Sequence, residues 1–554
     1  MKQLILALLV ILALTIPACL HATPVVFGLA LQPDADVMRF AANLEQAHAV
    51  GFRQVRIRAD WPHLQSDAKS WHFNELDAAI SSANTHGLEV ILVFGPTPRW
   101  SVSYLSNPSP EEVARAHPNL DAYRAYVSTV VRRYQHQVKY YQLWERPTSG
   151  TLLAAANDVY ALYRTGAKAV HRIDPSVHVI AAEPGDMDLG WMADYLHGAR
   201  GDERADILTL APEKFITTPE ALWWRTTILR EQVLPRVGAP DLWVTLPLAA
   251  ASTPEYFRMT VAALLQNCSH ITYQPAVSDI PILADLQVQM CMRTVSTLND
   301  CEYTGWSLLG RNIPAGVFSK GTETRILALP PQQDMITLLP ESSAIRDGVA
   351  APDGTITIMG LDTHPRRVAV TGETPLPVSS SPCMLVGIRV PVLDGTPAVR
   401  PEFVMAEAVS LDPAGMRPGA IWPLHDLPGG GYATQSVDGR PVLCTERNTA
   451  PWLHFAIPDG FMYYNIDRRP VEVIIKVYGV HEAQKSGYSL YYDGIGGMMN
   501  SPWQWIDVGP DKVFSYTMRL NDAEFADREG YDLRVSMGGS TEPLRLVDIR
   551  VRKL

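Results

Sequence analysis

The sequence predicts an α/β chain, a TIM (β/α)8 barrel followed by two all-β sandwich domains. From Val25 to Cys301, short β-rich apolar runs alternate with longer helical patterns, the sequence form of a parallel sheet with crossover helices. Eight such runs fall within a length close to the roughly 250 residues that a closed (β/α)8 barrel takes. Beyond Cys301 the helical patterns give way to short strands with Gly, Pro and Asp turns.

In chain order, the predicted barrel strands are Val25–Leu29, Gln54–Arg58, Glu89–Phe94, Tyr140–Leu143, Val177–Ala181, Asp206–Leu210, Leu242–Leu246 and Ser269–Tyr273. Asp121–Arg133, Asn157–Val170 and Pro254–Leu265 have the 3.6-residue period of the outer helices. The runs Thr355–Met359 and Arg367–Val370 belong to a first sandwich, and a Pro-rich stretch near Pro391–Pro401 precedes a second all-β module. There, Val471–Val477 and Val547–Arg552 alternate apolar and polar residues, as strands do with one face in a core and one in water. The resulting division is a leader at 1–22, the barrel at 23–300, a β-sandwich at 301–395 and a jelly-roll module at 396–554.

Composition narrows the function. In 554 residues with a formal charge of -11, no Lys/Arg-rich run occurs, which argues against a nucleic-acid surface. Lys2, the apolar stretch Leu4–Ile16 and the small residues up to Ala22 have the layout of a secretory signal, too short for a membrane span. Cleavage after Ala22 yields a secreted or periplasmic protein; Ile16-Pro17-Ala18-Cys19 offers the alternative of a lipid anchor at Cys19. The remaining cysteines, Cys268, Cys291, Cys301, Cys383 and Cys444, form no disulfide framework, and Cys291 and Cys301 read either as a bridge or as buried thiols. No metal-ligand motif is present and no cofactor is implied; Gly429-Gly430-Gly431, with no Gly-Lys-Ser/Thr after it, reads as a turn.

In a parallel barrel the chemistry sits at the C-terminal ends of the strands. Asp60, Trp61, Trp100, Trp144, Glu145, Arg146, Glu183, Glu213, Leu246 and Gln274 all fall there. Trp and Tyr around such a mouth suit the apolar faces of sugar rings, or else cap the barrel.

The stretches Gly51–Trp61, Trp71–Phe73, Gly87–Trp100 and Tyr140–Pro147 resemble clan A glycoside hydrolases of the β-xylosidase and α-L-iduronidase type. That resemblance implies a retaining mechanism with two carboxyl groups about 5–5.5 Å apart. It places the acid/base at the third position of a Trp-Asn-Glu-Pro motif, which is Arg146, and the nucleophile at Leu246. A guanidinium cannot shuttle the proton and leucine cannot attack a sugar carbon. The site after the sixth strand, Ala211-Pro212-Glu213, departs as well.

The expectation is therefore a secreted glycoside hydrolase-like pseudoenzyme that binds carbohydrate or serves an accessory role. The alternatives are an active hydrolase with relocated carboxylates, Glu145 or Glu183 being the candidates, and a structural or interaction protein of the cell surface. Glu145 stands one place early, where a strand side chain turns to the opposite face unless a bulge intervenes. The candidate sugar-binding residues are Arg56, Arg58, Trp61, Trp100, Trp144 and Arg146 in the barrel, with Tyr491 and Trp503, beside Tyr492 and Trp505, in a C-terminal module that resembles the jelly rolls appended to secreted glycosidases. Loss of the anion at Leu246 would free guanidinium forks for an acidic sugar, unless Asp60, Glu145, Glu183 and Glu213 satisfy them.

Overall fold

The computed structural model describes residues 23–554 apart from 34–35, 103, 146–155, 182–191, 193–195, 197–200, 213–218, 238–240, 248–252, 276–285, 310–312, 329–333, 341–349, 352, 361–364, 371–373, 379–382, 394–405, 415–419, 425–426, 428, 438, 446–450, 459–460, 463–464, 466–467, 483–484, 496, 527–528, 530 and 539. The predicted leader with Cys19, as well as Arg146, Glu183 and Glu213, lie outside the described residues. Two compact units are present, the first up to Ala398 and the second over Val399–Leu554.

In the first unit, eight parallel strands close into a barrel: Val26–Ala30, Gln54–Asp60, Glu89–Gly95, Tyr140–Gln142, His178–Ala181, Ile207–Leu210, Asp241–Pro247 and His270–Gln274. Each overlaps the run that the apolar pattern predicts. On the second strand Val55, Ile57 and Ala59 are buried toward the helices, while Gln54, Arg56 and Arg58 alternate with them and line the interior. Polar side chains thus replace the branched apolar residues that usually fill such a barrel. At the bottom, Gly28 makes room for them: a Cβ there would lie 2.9 Å from the Thr272 hydroxyl and 3.4 Å from Gln54 Cβ.

The helix Leu120–Arg133 shows how the outer ring is specified. The Asn119 side chain accepts hydrogen bonds from the backbone N–H groups of Asp121 and Ala122, and Arg132 and Arg133 occupy the last turn, complementing the helix dipole. Tyr123, Tyr126, Val127, Val130 and Val131, spaced three and four apart, form its buried stripe.

The first sandwich continues from the barrel. Its larger sheet contains Glu302–Leu309, Ile313–Lys320, Glu323–Ala328, Cys383–Val386, Thr355–Gly360 and Arg366–Ala369. Thr23–Pro24, which the sequence division assigns to the barrel, adds an edge strand to this sheet by pairing with Glu302 and Tyr303. Lys320 and Arg325 donate to the carbonyls of Asn299 and Thr297 at the end of the last barrel helix, tying sandwich to barrel within one unit. Cys291 and Cys301 are buried thiols that form no disulfide, so the bridge reading does not hold. Among the described residues no helix is long and apolar enough to cross a membrane, and no group of His, Cys, Asp or Glu side chains could hold a metal.

The second unit contains two antiparallel sheets. One runs Ala433–Val437, Arg440–Cys444, Arg545–Lys553, Val471–Tyr478, Val513–Leu520; the other runs Trp422–Leu424, Trp452–Ala456, Leu533–Ser536, Gly487–Gly494, Gly497–Asn500. Val471, Val473, Ile475 and Val477 alternate inward and are fully buried. At about 1.5–3 kcal/mol for each such side chain, this single strand contributes a substantial part of the module's stabilisation. The core cluster draws all its buried members from Val409–Val551. A fragment covering Arg400–Leu554 is accordingly expected to be soluble and to unfold in one cooperative transition in urea. An insoluble fragment, or one with no transition, would show that this core is insufficient alone.

Candidate functional site

The site grows from the ends of the second and fourth barrel strands. Strand Tyr140–Gln142 places Gln142 inward, where its side-chain carbonyl accepts from Arg56 Nε at 3.1 Å. The chain then leaves the sheet abruptly. The Trp144 N–H donates to the Gln142 carbonyl, closing a three-residue turn, and Trp144 takes φ +83°. A bulky residue rarely adopts such a backbone, which costs on the order of 1–3 kcal/mol. Gln142 Nε2 donates to the Trp144 carbonyl at 3.1 Å and fixes the turn.

This turn decides where Glu145 points. The sequence expectation sends Glu145 to the wrong face of the strand; the turn instead aims its carboxylate into the barrel mouth. Oε1 accepts from Arg56 Nη1 at 2.9 Å and Oε2 accepts from Arg58 Nη2 at 2.6 Å, while Gln274 Nε2 reaches Oε1 at 3.3 Å from the last strand. Arg56 is 3% exposed and Glu145 14%, whereas Arg58 keeps 35% of its side-chain surface in water. Burial alone would raise the Glu145 pKa. The charges of Arg56 and then Arg58, with their hydrogen bonds, outweigh burial and hold the carboxyl well below the usual range.

Above this clamp lies a cavity of about 260 Å³ lined by Arg58, Phe94, Gly95, Pro96, Ala114, Arg115, Trp144 and Glu145. Gly95 adopts φ +118°, and a Cβ there would sit 3.3 Å from the Trp144 ring, so glycine is needed both for its backbone and for the close approach of the indole.

The other expected residues divide. Arg58 and Trp144 line the cavity, and Arg56 lies beneath it on Glu145. Trp61 does not offer a face to a ligand: it is fully buried, stacked on Tyr126 at 4.5 Å between centroids, and its Nε1 donates to Gln65. Trp100 meets Trp61 edge-on and donates to the Gln65 carbonyl, outside the cavity lining. Asp60 does not meet the arginines; it accepts from the His63 N–H as the cap of the short helix Trp61–Leu64. Leu246, at the expected nucleophile place, is fully buried near the end of the seventh strand.

In the second unit, Tyr492 belongs to the core, with its hydroxyl on Asp522. Tyr491 lies under the Arg534 guanidinium at 4.0 Å, and Trp503 meets Trp505 at 5.7 Å, with Trp505 53% exposed. Sequence reasoning missed Gln142, Phe94, Arg115 and Ala114. Gln142 alone had a signal, a polar residue in phase with the interior of an otherwise apolar strand.

No family model and no curated protein matches the chain. Among solved structures, it is similar to a family 39 glycoside hydrolase from the gut symbiont Bacteroides cellulosilyticus WH2, with 15% identity, a TM-score of 0.51, and coverage of 66% of this chain and 81% of that one. A monomeric β-xylosidase from Caulobacter crescentus CB15 matches at 14% identity and TM-score 0.47 over 67% of this chain and 98% of its own. A GH30 endoxylanase from Clostridium papyrosolvens C71 matches at 11% and 0.47 over 67% and 98%. At such identities the likeness is one of fold: a glycoside hydrolase-like barrel with its β-sandwich.

Replacing Glu145 by Gln leaves two guanidinium groups without their shared anion, and the barrel is expected to lose about 3 kcal/mol of stability at neutral pH. Because the folded pKa is depressed, the clamp's contribution is complete above the ordinary Glu value of 4.5 and is lost as pH falls below it toward the folded value. The gap between wild type and Glu145→Gln, measured by denaturant unfolding at pH 7 and pH 3.5, should therefore be wide at pH 7 and narrower at pH 3.5. An equal gap at both would refute the assignment.

Proposed function

We propose that this glycoside hydrolase-like chain is a carbohydrate-binding or accessory protein whose barrel has lost retaining hydrolysis. The observation that carries the reading is the state of Glu145. A general acid must hold its proton near the working pH and release it to the leaving oxygen. Glu145, clamped between Arg56 and Arg58, is ionised throughout that range and has no proton to give. Leu246 supplies only hydrocarbon where the family resemblance calls for the nucleophile.

What remains suits binding. The cavity offers the Trp144 and Phe94 rings together with Glu145, Arg58 and Arg115, the mixture of flat apolar surface and few polar groups that ligand sites use. Its volume lies near the lower end of such sites, about 300 Å³, and fits one sugar unit rather than a long chain. The forks of Arg56 and Arg58 are engaged by Glu145, so sugar hydroxyls are a better match here than a second carboxylate. Export through the N-terminal leader, by cleavage after Ala22 or lipidation at Cys19, belongs to the same reading.

The test is a glycan array run beside hydrolysis assays on aryl xylosides and xylo-oligosaccharides. Binding is expected, with no product above that of the Glu145→Ala protein. Trapping of a glycosyl-enzyme adduct, or turnover abolished by Glu145→Gln, would overturn the proposal. Mass spectrometry of the protein recovered from a bacterial envelope is expected to show an N-terminus at Thr23 or a lipidated Cys19; an intact Met1 would exclude export by this leader.

A further inference from the structure

We propose that the second unit carries an acidic-sugar site of its own, centred on Arg534. The strand Leu533–Ser536 sends Leu533 and Val535 into the module's core, so Arg534 projects from the opposite face of the sheet. The same alternation puts Trp452 and His454 on that face, between core residues Leu453 and Phe455, and Tyr491 there too, between Leu490 and Tyr492. Register sets them side by side, His454 opposite Arg534 and Arg534 opposite Tyr491.

The rings hold the guanidinium from several directions. Its central carbon lies 4.0 Å from the Tyr491 ring centroid, 4.6 Å from Trp452 and 5.6 Å from Tyr531. The strand geometry and these rings leave the long side chain little freedom. Trp452 is backed by Gly429, where a Cβ would come within 2.6 Å of the indole, and His454 by Gly430, where a Cβ would come within 2.3 Å of Nδ1. The triple-glycine turn therefore closes over the aromatic row because only glycine allows that approach.

A guanidinium so placed is not an ordinary structural cation. Among the described residues, Arg534 makes no ion pair, and its buried Nε finds no hydrogen-bond acceptor. The neighbouring His454 is almost fully buried, with Nδ1 also unpartnered, and burial, then the Arg534 charge, pushes its pKa down to about 4. A neutral imidazole adds no competing cation. The rings attract the guanidinium's charge without accepting its N–H groups in conventional hydrogen bonds, so these donors remain for a planar, bidentate acceptor, the geometry of a carboxylate or a sulfate ester. Aromatic rings on either side give a sugar its apolar contacts. The class of ligand is a saccharide bearing uronate or sulfate groups; that it is a saccharide rests on the carbohydrate reading above, while the anion selectivity rests on Arg534.

The experiment is calorimetric titration of the full chain with tetragalacturonate, a heparin tetrasaccharide, neutral xylotetraose and a poly-glutamate peptide. Tetragalacturonate or the heparin fragment is expected to bind, and Arg534→Gln to weaken it by about tenfold or more, with a smaller loss for Arg534→Lys, which keeps the charge without the fork. Xylotetraose binding should be unchanged by Arg534→Gln and lost in Ala114→Trp, which fills the barrel cavity. Should Arg534→Gln fail to fold, Tyr491→Ala, which removes the support from one side, must show the same selective loss. Acidic oligosaccharides that do not bind, or that bind equally to wild type and the Arg534 variants, overturn the proposal. Loss of acidic binding in Ala114→Trp alone places the ligand in the barrel, refuting this site while sustaining the barrel reading. Poly-glutamate binding as tightly as tetragalacturonate refutes a saccharide ligand.

Discussion

The pairing of one carboxylate with two guanidinium groups governs what this barrel can be. Arg56 is almost wholly removed from water inside a closed sheet, and a charge in that position is tolerated only when neutralised and hydrogen-bonded. Glu145 supplies the charge and Gln142 the neutral acceptor. The unusual backbone at Trp144 follows from the same need, since a regular strand would carry Glu145 past the arginines. Its conformational cost of a few kcal/mol at most is comparable with the loss that an unpaired buried arginine would bring.

On the proposed reading, the same interaction turns a catalytic scaffold toward binding. Retaining chemistry needs one carboxyl group that changes protonation and another that attacks carbon, set about 5–5.5 Å apart. Here the carboxylate brought to the mouth is electrostatically locked, and the buried Leu246 is chemically inert. Locking favours a fixed shape, and a fixed shape with two aromatic rings and a few polar edges is what recognition without turnover requires.

How much of this the sequence disclosed depends on the range of the interaction. Strand positions, helix stripes and the alternating strands of the second unit are local patterns, and all eight barrel strands lie where their apolar runs stand. The partners of Arg56 were legible only as possibilities, because barrel closure brings Gln142 and Glu145 to it, and Gln274 to Glu145, from distant parts of the chain. Glu145 was placed on the wrong face because parity along a strand is a sound rule until the strand ends, and the turn at Trp144 ends it one residue early. Trp61 misled for a related reason: its position after the second strand suits a mouth, yet the helix Trp61–Leu64 folds it back onto Tyr126.

Arg534 and Arg56 show how one side chain acquires opposite roles from its surroundings. Arg56 is enclosed with a carboxylate and an amide, so its hydrogen-bonding edge is satisfied within the fold and its charge is cancelled. Arg534 is enclosed by rings, which attract its charge and leave its buried Nε without an acceptor among the described residues. Carboxylate neighbours convert an arginine into scaffold; aromatic neighbours orient it while preserving its capacity for an anion. On the proposals made for the two sites, that distinction gives acidic recognition to the second unit and sugar-ring recognition to the barrel, although both arginines alternate with buried apolar residues along a strand.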